Sequence, residues 1–246
     1  MTANIVDTIV RGVSCFCFHC EGLPGPDGFH IAAIQLLKDL GMIFLETAPF
    51  PRAPDPNPFA QLDATGNVYG GFIMATHSLL QPSVKAWNLE EYFECGYGGA
   101  VLDRSFKLGF GSLREDMPHY KSALQDMANG RREFLKLVIP HVAPRLAFAD
   151  DAWNHGSVKD RHLADADLRR LFWTTYFGPC FVETHGLEFL MNTPAWRVEE
   201  LAGGVFVTVT ESYLDFAENE PKATLKYLRQ KFKSIRPNRF KIPDSF

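Results

Sequence analysis

Four side chains within six residues could bind a metal or act as nucleophiles: the run Cys15-Phe16-Cys17-Phe18-His19-Cys20 carries three thiols and an imidazole. Structural zinc sites take two ligands from a tight turn and two from a second element, arranged as a tetrahedron. An extended segment instead alternates its side chains, so Val13, Cys15, Cys17 and His19 point one way and Ser14, Phe16, Phe18 and Cys20 the other. No more than three of the four ligands then share a face, and the later cysteines, Cys95 and Cys180, stand alone in sequence. The run reads as a buried strand whose thiols pack as small hydrophobes, and no metal is expected at Cys15, Cys17, His19 and Cys20. Five cysteines in 246 residues, an odd number, argue for reduced thiols rather than a disulfide framework.

A second group with chemical potential is Asp150-Asp151-Ala152-Trp153-Asn154-His155, followed by His162, Asp165, Asp167 and His185. Carboxylates and imidazoles in one loop could hold a divalent cation or exchange protons. That would suit a metal-assisted hydrolase with a site near Asp150, Asp151 and His155. The plainer reading makes Asp150 and Asp151 loop residues after a strand, and Asp165 and Asp167 the acidic start of a helix. The chain has no Gly-x-Ser-x-Gly, no phosphate loop, no His-Glu-x-x-His and no Gly-x-Gly-x-x-Gly after a strand, so no catalytic residue and no cofactor are assigned.

These residues need elements to position them. Ile9 to Cys20 is apolar on both faces and predicts a central strand ending at the Gly22–Gly28 turn. Phe29 to Leu40 has helical spacing and stops at Gly41. Met42 to Thr47 reads as a strand, and the prolines between Pro49 and Pro58 make an extended surface loop. Asn67 to His77 and Gly99 to Gly111 read as strands, with a short helix over Ser83 to Phe93 between them.

Met117 to Val138 predicts a helix with Leu124, Met127, Phe134, Leu135 and Val138 inward, ended by Pro140. Arg145 to Ala149 is a short strand; Asp165 to Tyr176 and Phe181 to Met191 read as short helices separated by Gly178-Pro179. Trp196 to Leu201 and Val205 to Thr210 form a hairpin, in which Gly203-Gly204 supplies the positive φ of the turn. Its alternation places Trp196, Val198 and Glu200 on one face. Pro221 to Ile235 is the last helix, with Asn219 as its cap. Together these predict an α+β fold: a mixed, mostly antiparallel sheet with helices packed on it and a C-terminal β-hairpin plus terminal helix. One domain over 1–246 is expected, with a candidate subdivision into 1–115 and 116–246.

Residues 222–246 carry a net charge of +7, leaving −11 on the first 221. The basic residues suit the outer face and C-terminal end of a terminal helix, where they complement its dipole. An acidic body speaks for a cationic protein partner and against nucleic acid as the main ligand. No run approaches the roughly 20 apolar residues of a membrane helix, and the N-terminus lacks the pattern of a signal peptide, so a cytoplasmic protein without membrane contact is expected.

One segment resembles a known group. Phe172-Trp173-x-x-Tyr176-Phe177-Gly178-Pro179-x-Phe181-Val182-Glu183-x-x-Gly186-x-Glu188-Phe189-Leu190, followed by Pro194-Ala195-Trp196-x-Val198-Glu199-Glu200-Leu201-x-Gly203-Gly204-Val205, resembles the C-terminal part of bacterial immunity proteins of interbacterial toxin systems, including type VI-delivered ones. The resemblance is strong over about a sixth of the chain and weaker over 98–151. It implies a non-enzymatic protein that binds and occludes a cognate toxin domain, one whose surface could be basic. Asp150, Asp151, Trp153 and His155 are the candidate partner-binding residues; a non-enzymatic adaptor is the remaining alternative.

Overall fold

The chain is seen in a computed structural model that describes residues 10–11, 13–23, 29–44, 73–76, 91–96, 105–110, 113–114, 120–151, 158, 160–232 and 234–236. In chain order the elements are β1 (Val10–Arg11), β2 (Val13–Cys20), α1 (Phe29–Asp39), β3 (Ile43–Phe44), β4 (Ile73–Thr76), β5 (Glu91–Gly96), β6 (Ser105–Phe110), β7 (Leu113–Arg114), α2 (Tyr120–Val142), β8 (Pro144–Asp151), α3 (Asp160–Ala164), β9 (Thr174–Phe177), α4 (Pro179–His185), α5 (Leu187–Met191), β10 (Arg197–Leu201), β11 (Gly204–Thr208), α6 (Tyr213–Glu218) and α7 (Lys222–Leu228). Nine strands form one sheet in the order β10-β11-β9-β8-β2-β6-β5-β4-β3, while β1 pairs with β7. The fold is α+β. Every ladder among the described residues is antiparallel, in keeping with the mostly antiparallel sheet that the sequence predicts.

The fifth of the nine strands is β2, bonded to β6 on one side and β8 on the other. Its placement follows from its composition: a strand apolar on both faces is stable only where both faces are covered. Because β6 precedes residue 115 and β8 follows it, the sheet runs across the 115/116 boundary.

Two rows of register partners cross the sheet and face opposite ways. Phe18, Leu146, Phe177 and Val205 form one row, and Cys17, Ala147, Tyr176 and Phe206 the next,. The first face is aromatic: the Phe148 ring lies 4.8 Å from Phe16 and 3.6 Å from Phe172. It also receives α4 and the segment after α7, because Phe177 meets Phe181 at 5.6 Å and Phe232 at 5.7 Å.

The second face carries α2, whose Lys136 lies 6.0 Å over Phe206. Here Cys15, Cys17, Ala147 and Ala149 are all fully buried, and their small size lets the helix approach the sheet. The thiols therefore serve as packing, and burial, reinforced by neighbouring Cys20 and Cys15, pushes the Cys17 thiol well up.

The predicted inner face of α2 is buried as expected. The helix nevertheless continues through Pro140 to Val142. In the last turn the missing N–H forfeits a single bond, and the stop comes from Ala143, whose φ is 42° and whose N–H bonds to Ile139 O at 3.0 Å. At the far end, Gln125 of α2 accepts from Ser212 Oγ and Tyr213 N at 2.8 and 2.9 Å, tying α2 to the start of α6.

Several sequence expectations are corrected. Where a helix was expected over Asp165 to Tyr176, the chain leaves α3, turns through Ala166 (φ 48°) and enters strand β9. Leu168, Leu171 and Phe172 have helical spacing, but Thr174-Thr175-Tyr176-Phe177 is buried on both faces, where β-branched and aromatic residues favour a strand. Asp165 and Asp167 thus follow a helix rather than begin one, and Asp167 pairs with Arg169 at 2.9 Å. Where a short helix was expected up to Phe93, Glu91 to Gly96 is strand β5; residues 83–90 and the proline loop 49–58 lie outside the described residues. Asn219 ends α6, and Pro221 is the N-cap of α7, which stops at Leu228 instead of Ile235.

The hairpin forms as read, but its turn is one residue earlier. Ala202 and Gly203 have φ of 48° and 76°, the two positive central positions of a tight β-hairpin turn. Gly204 is required for space instead. A Cβ there would collide with Phe177 O and the Tyr176 ring.

Candidate protein-docking surface

The structure separates the residues proposed for partner binding. Asp150 is not a loop residue: β8 extends to Asp151, and Asp150 is 0% exposed, so its carboxylate lies inside the protein rather than on its surface. Asp151 closes the strand opposite Val13, whereas Trp153 and His155 lie outside the described residues. His185 is remote from Asp150 in role as well as sequence, with Nε2 2.7 Å from Ala166 O and its ring 4.3 Å from Phe232. Among the described residues no group of three or more His, Cys, Asp or Glu is placed to hold a metal ion.

A surface emerges instead at the β10 edge of the sheet. Trp196 stands just before β10 and is 44% exposed, one of two large hydrophobic side chains so exposed among the described residues. Alternation alone puts Trp196 with Val198. The structure places it under Arg132 of α2, the guanidinium 5.3 Å from its ring centre, because the strand proper begins only at Arg197. The same guanidinium lies 5.6 Å from Trp173 and bonds Glu133 at 2.8 Å. Beside it, Lys136 and Arg197 both pair with Glu199, at 2.7 and 3.2 Å. The patch has an apolar centre, a stacked arginine and a mixed-charge rim, and β10 has no strand beyond it among the described residues.

The motif that carried the resemblance lies beneath this edge. Tyr176 donates from its hydroxyl to Ala202 O at 3.1 Å, holding the hairpin turn. Gly178 N–H bonds to Arg145 O at 2.9 Å, and a Cβ at Gly178 would stand 2.5 Å from Pro144 O. Pro179 then opens α4, where its missing N–H costs nothing,. Tyr176, Phe177, Gly178 and Gly204 are thus buried parts of one lock that fixes the hairpin against β8 and β9.

Burial, with Cys180 and Cys17 nearby, lifts the Tyr176 phenol to about 12. An unfolded chain ionises its tyrosines near pH 10, so between pH 10 and 12 only the unfolded state loses this proton. Stability is expected to fall as pH rises through that window. In an absorbance titration of tyrosinate, Tyr176→Phe should remove a step near pH 12; an unchanged curve would contradict the assignment.

No family model and no curated protein matches the chain. Among solved structures, the chain named Pseudomonas aeruginosa T6SS protein PA0821 aligns at 12% identity and a TM-score of 0.47, covering 96% of this chain and 77% of that one. The likeness is distant and assigns no function.

What the β10 edge can do is physical rather than chemical: Trp and Arg at the centre of a patch, ringed by charges, are the side chains that dominate protein–protein affinity. Sequence reading could not find it, since Arg132 and Trp196 are 64 positions apart in the chain and meet only through the packing of α2 on the sheet. The exposed charge of Arg197 beside an aromatic was the one local signal. Among the described residues no helix is long and apolar enough to cross a membrane.

Proposed function

We propose that the protein is an immunity protein that binds a cognate bacterial toxin domain in the cytoplasm and blocks it by occlusion, without chemistry of its own. The observation that carries this reading is the exposed Trp196 stacked under Arg132 at the open sheet edge. A half-exposed tryptophan under an arginine is the kind of centre that anchors a protein partner, and the rim of Lys136, Arg197, Glu199 and Glu200 supplies orientation. The −11 over the first 221 residues would speed capture of a basic toxin surface, with association slowing as salt rises and dissociation changing less.

The test is co-expression in a bacterial host with the product of each gene adjacent to this one. Growth rescue and co-purification are expected with one of them. Trp196→Ala with Arg132→Ala should then weaken the complex about 30-fold or more, as loss of a central anchor does. Asp151→Asn with His155→Ala should leave rescue intact if occlusion rather than hydrolysis protects the cell. Neither rescue nor complex with any adjacent product would overturn the immunity reading. A complex weakened by Trp153→Ala but indifferent to Trp196→Ala would move the interface to residues 152–157.

A further inference from the structure

The hairpin turn fixes which main-chain groups β10 leaves unused. A two-residue turn through Ala202 and Gly203 closes on a hydrogen-bonded pair, here Leu201 and Gly204, and bonded and non-bonded pairs alternate from there,. Glu199 and Arg197 therefore direct their N–H and C=O groups to Phe206 and Thr208. Val198 and Glu200 turn theirs away from β11, to a side where no strand lies among the described residues. Both large hydrophobic side chains left exposed among the described residues flank this edge: Trp196 precedes β10, and Leu187 belongs to α5, which packs on β10 and β11.

An edge strand is a template for another strand, and the charges of β10 select which one. A second copy can pair antiparallel with β10 about a twofold axis perpendicular to the sheet, and such an axis leaves three registers in which outward-turned residues meet. With Glu200 opposite Glu200 of the second copy, two carboxylates face each other. With Val198 opposite Glu200, Glu199 falls opposite Glu199. With Val198 opposite Val198, Arg197 falls opposite Glu199 and Glu199 opposite Arg197, so only opposite charges meet. Directly opposed side chains share a face of the sheet, where like charges destabilise a pair and opposite charges stabilise it. Within one copy Glu199 bonds Lys136 and Arg197; a carboxylate accepts up to about four hydrogen bonds, so a further guanidinium joins this cluster without displacing a member.

We infer that β10 pairs antiparallel with β10 of a second copy, Val198 opposite Val198, joining the two sheets into one across a twofold axis. The central Val198 residues exchange both N–H···O=C bonds, and two Arg197–Glu199 pairs flank them. A strand of unrelated sequence would meet the same main-chain groups but not this reciprocal charge match. The pairing goes beyond the toxin-binding reading and stands without it, since it is tested on the purified chain alone.

A single strand pairing is a small interface, so sedimentation equilibrium is run up to about 0.5 mM chain. The average mass of the wild type should climb from 27.7 kDa toward twice that value. Arg197→Glu leaves acids at both positions and Glu199→Arg leaves bases at both, so each alone should dimerise at least about tenfold more weakly. Mixed in equal amounts, the two variants are complementary and should dimerise about as tightly as the wild type, which also shows both folded. Val198→Pro removes an N–H that β11 does not use, so the hairpin should persist while the dimer is lost. A wild type that stays at 27.7 kDa across this range overturns the inference. So does a dimer indifferent to Val198→Pro, or one weakened by the charge variants and not restored by mixing them, since either places the contact elsewhere.

Discussion

Gly178→Ala is expected to cost about 3 kcal/mol or more, from a single added methyl group. The position joins β9 to α4 where the chain passes directly over β8. A Cβ would stand 2.5 Å from Pro144 O and 2.6 Å from Arg145 O, and both are backbone atoms of a strand paired on its two sides. No rotamer change relieves such a contact. Either β8 shifts, breaking its rows with β2 and β9, or Gly178 N–H withdraws from Arg145 O and the Tyr176 lock on the hairpin loosens.

Gly186 provides the comparison. Its φ of 90° makes alanine strained there too, but nothing lies within 4 Å of the added carbon. Gly186→Ala should therefore cost only backbone strain, about 1–2 kcal/mol. Denaturant unfolding of both variants decides the matter. If Gly178→Ala is no worse than Gly186→Ala, close approach to β8 is not what selects glycine in this motif.

What could be read beforehand follows from how local each signal is. The centrality of β2 was legible because Cys15, Phe16, Cys17 and Phe18 leave no polar face to turn toward water. The inner face of α2 and the 196–210 hairpin were legible for the same reason: periodicity is a property of neighbours in sequence. Strand β9 was not, because Leu168, Leu171 and Phe172 imitate a helix, and only burial between β8 and β11 decides for a strand. The end of α7 was hidden as well. Phe232 keeps the helical spacing of Leu225 and Leu228, yet it serves as a plug against Phe177 and Phe181 after the helix has stopped.

The candidate surface was the least legible part. Asp150 reads as exposed because two consecutive acids follow an apolar run, whereas the strand extends to include it. Trp196 reads as a strand residue, and its partner Arg132 belongs to a helix chosen by the core residues around it. Both errors concern polar residues whose setting is made by segments far away in sequence.

Arg131 is the strongest case of that kind, and its replacement should rank with Gly178 in effect. It sits among the buried positions of α2 with 0% of its surface exposed, and its Nε donates to Val13 O at 3.4 Å. That bond anchors the helix to the start of β2, where Val13 pairs with Asp151 at the end of β8. A buried guanidinium is costly to desolvate, but removing it alone is worse, because the groups it serves stay buried. Arg131→Ala is expected to cost about 3–5 kcal/mol. Arg131→Met restores most of the volume but no donor, and should recover part of that loss while remaining about 1–3 kcal/mol below wild type. Full recovery of stability in Arg131→Met would show that the arginine acts by volume alone.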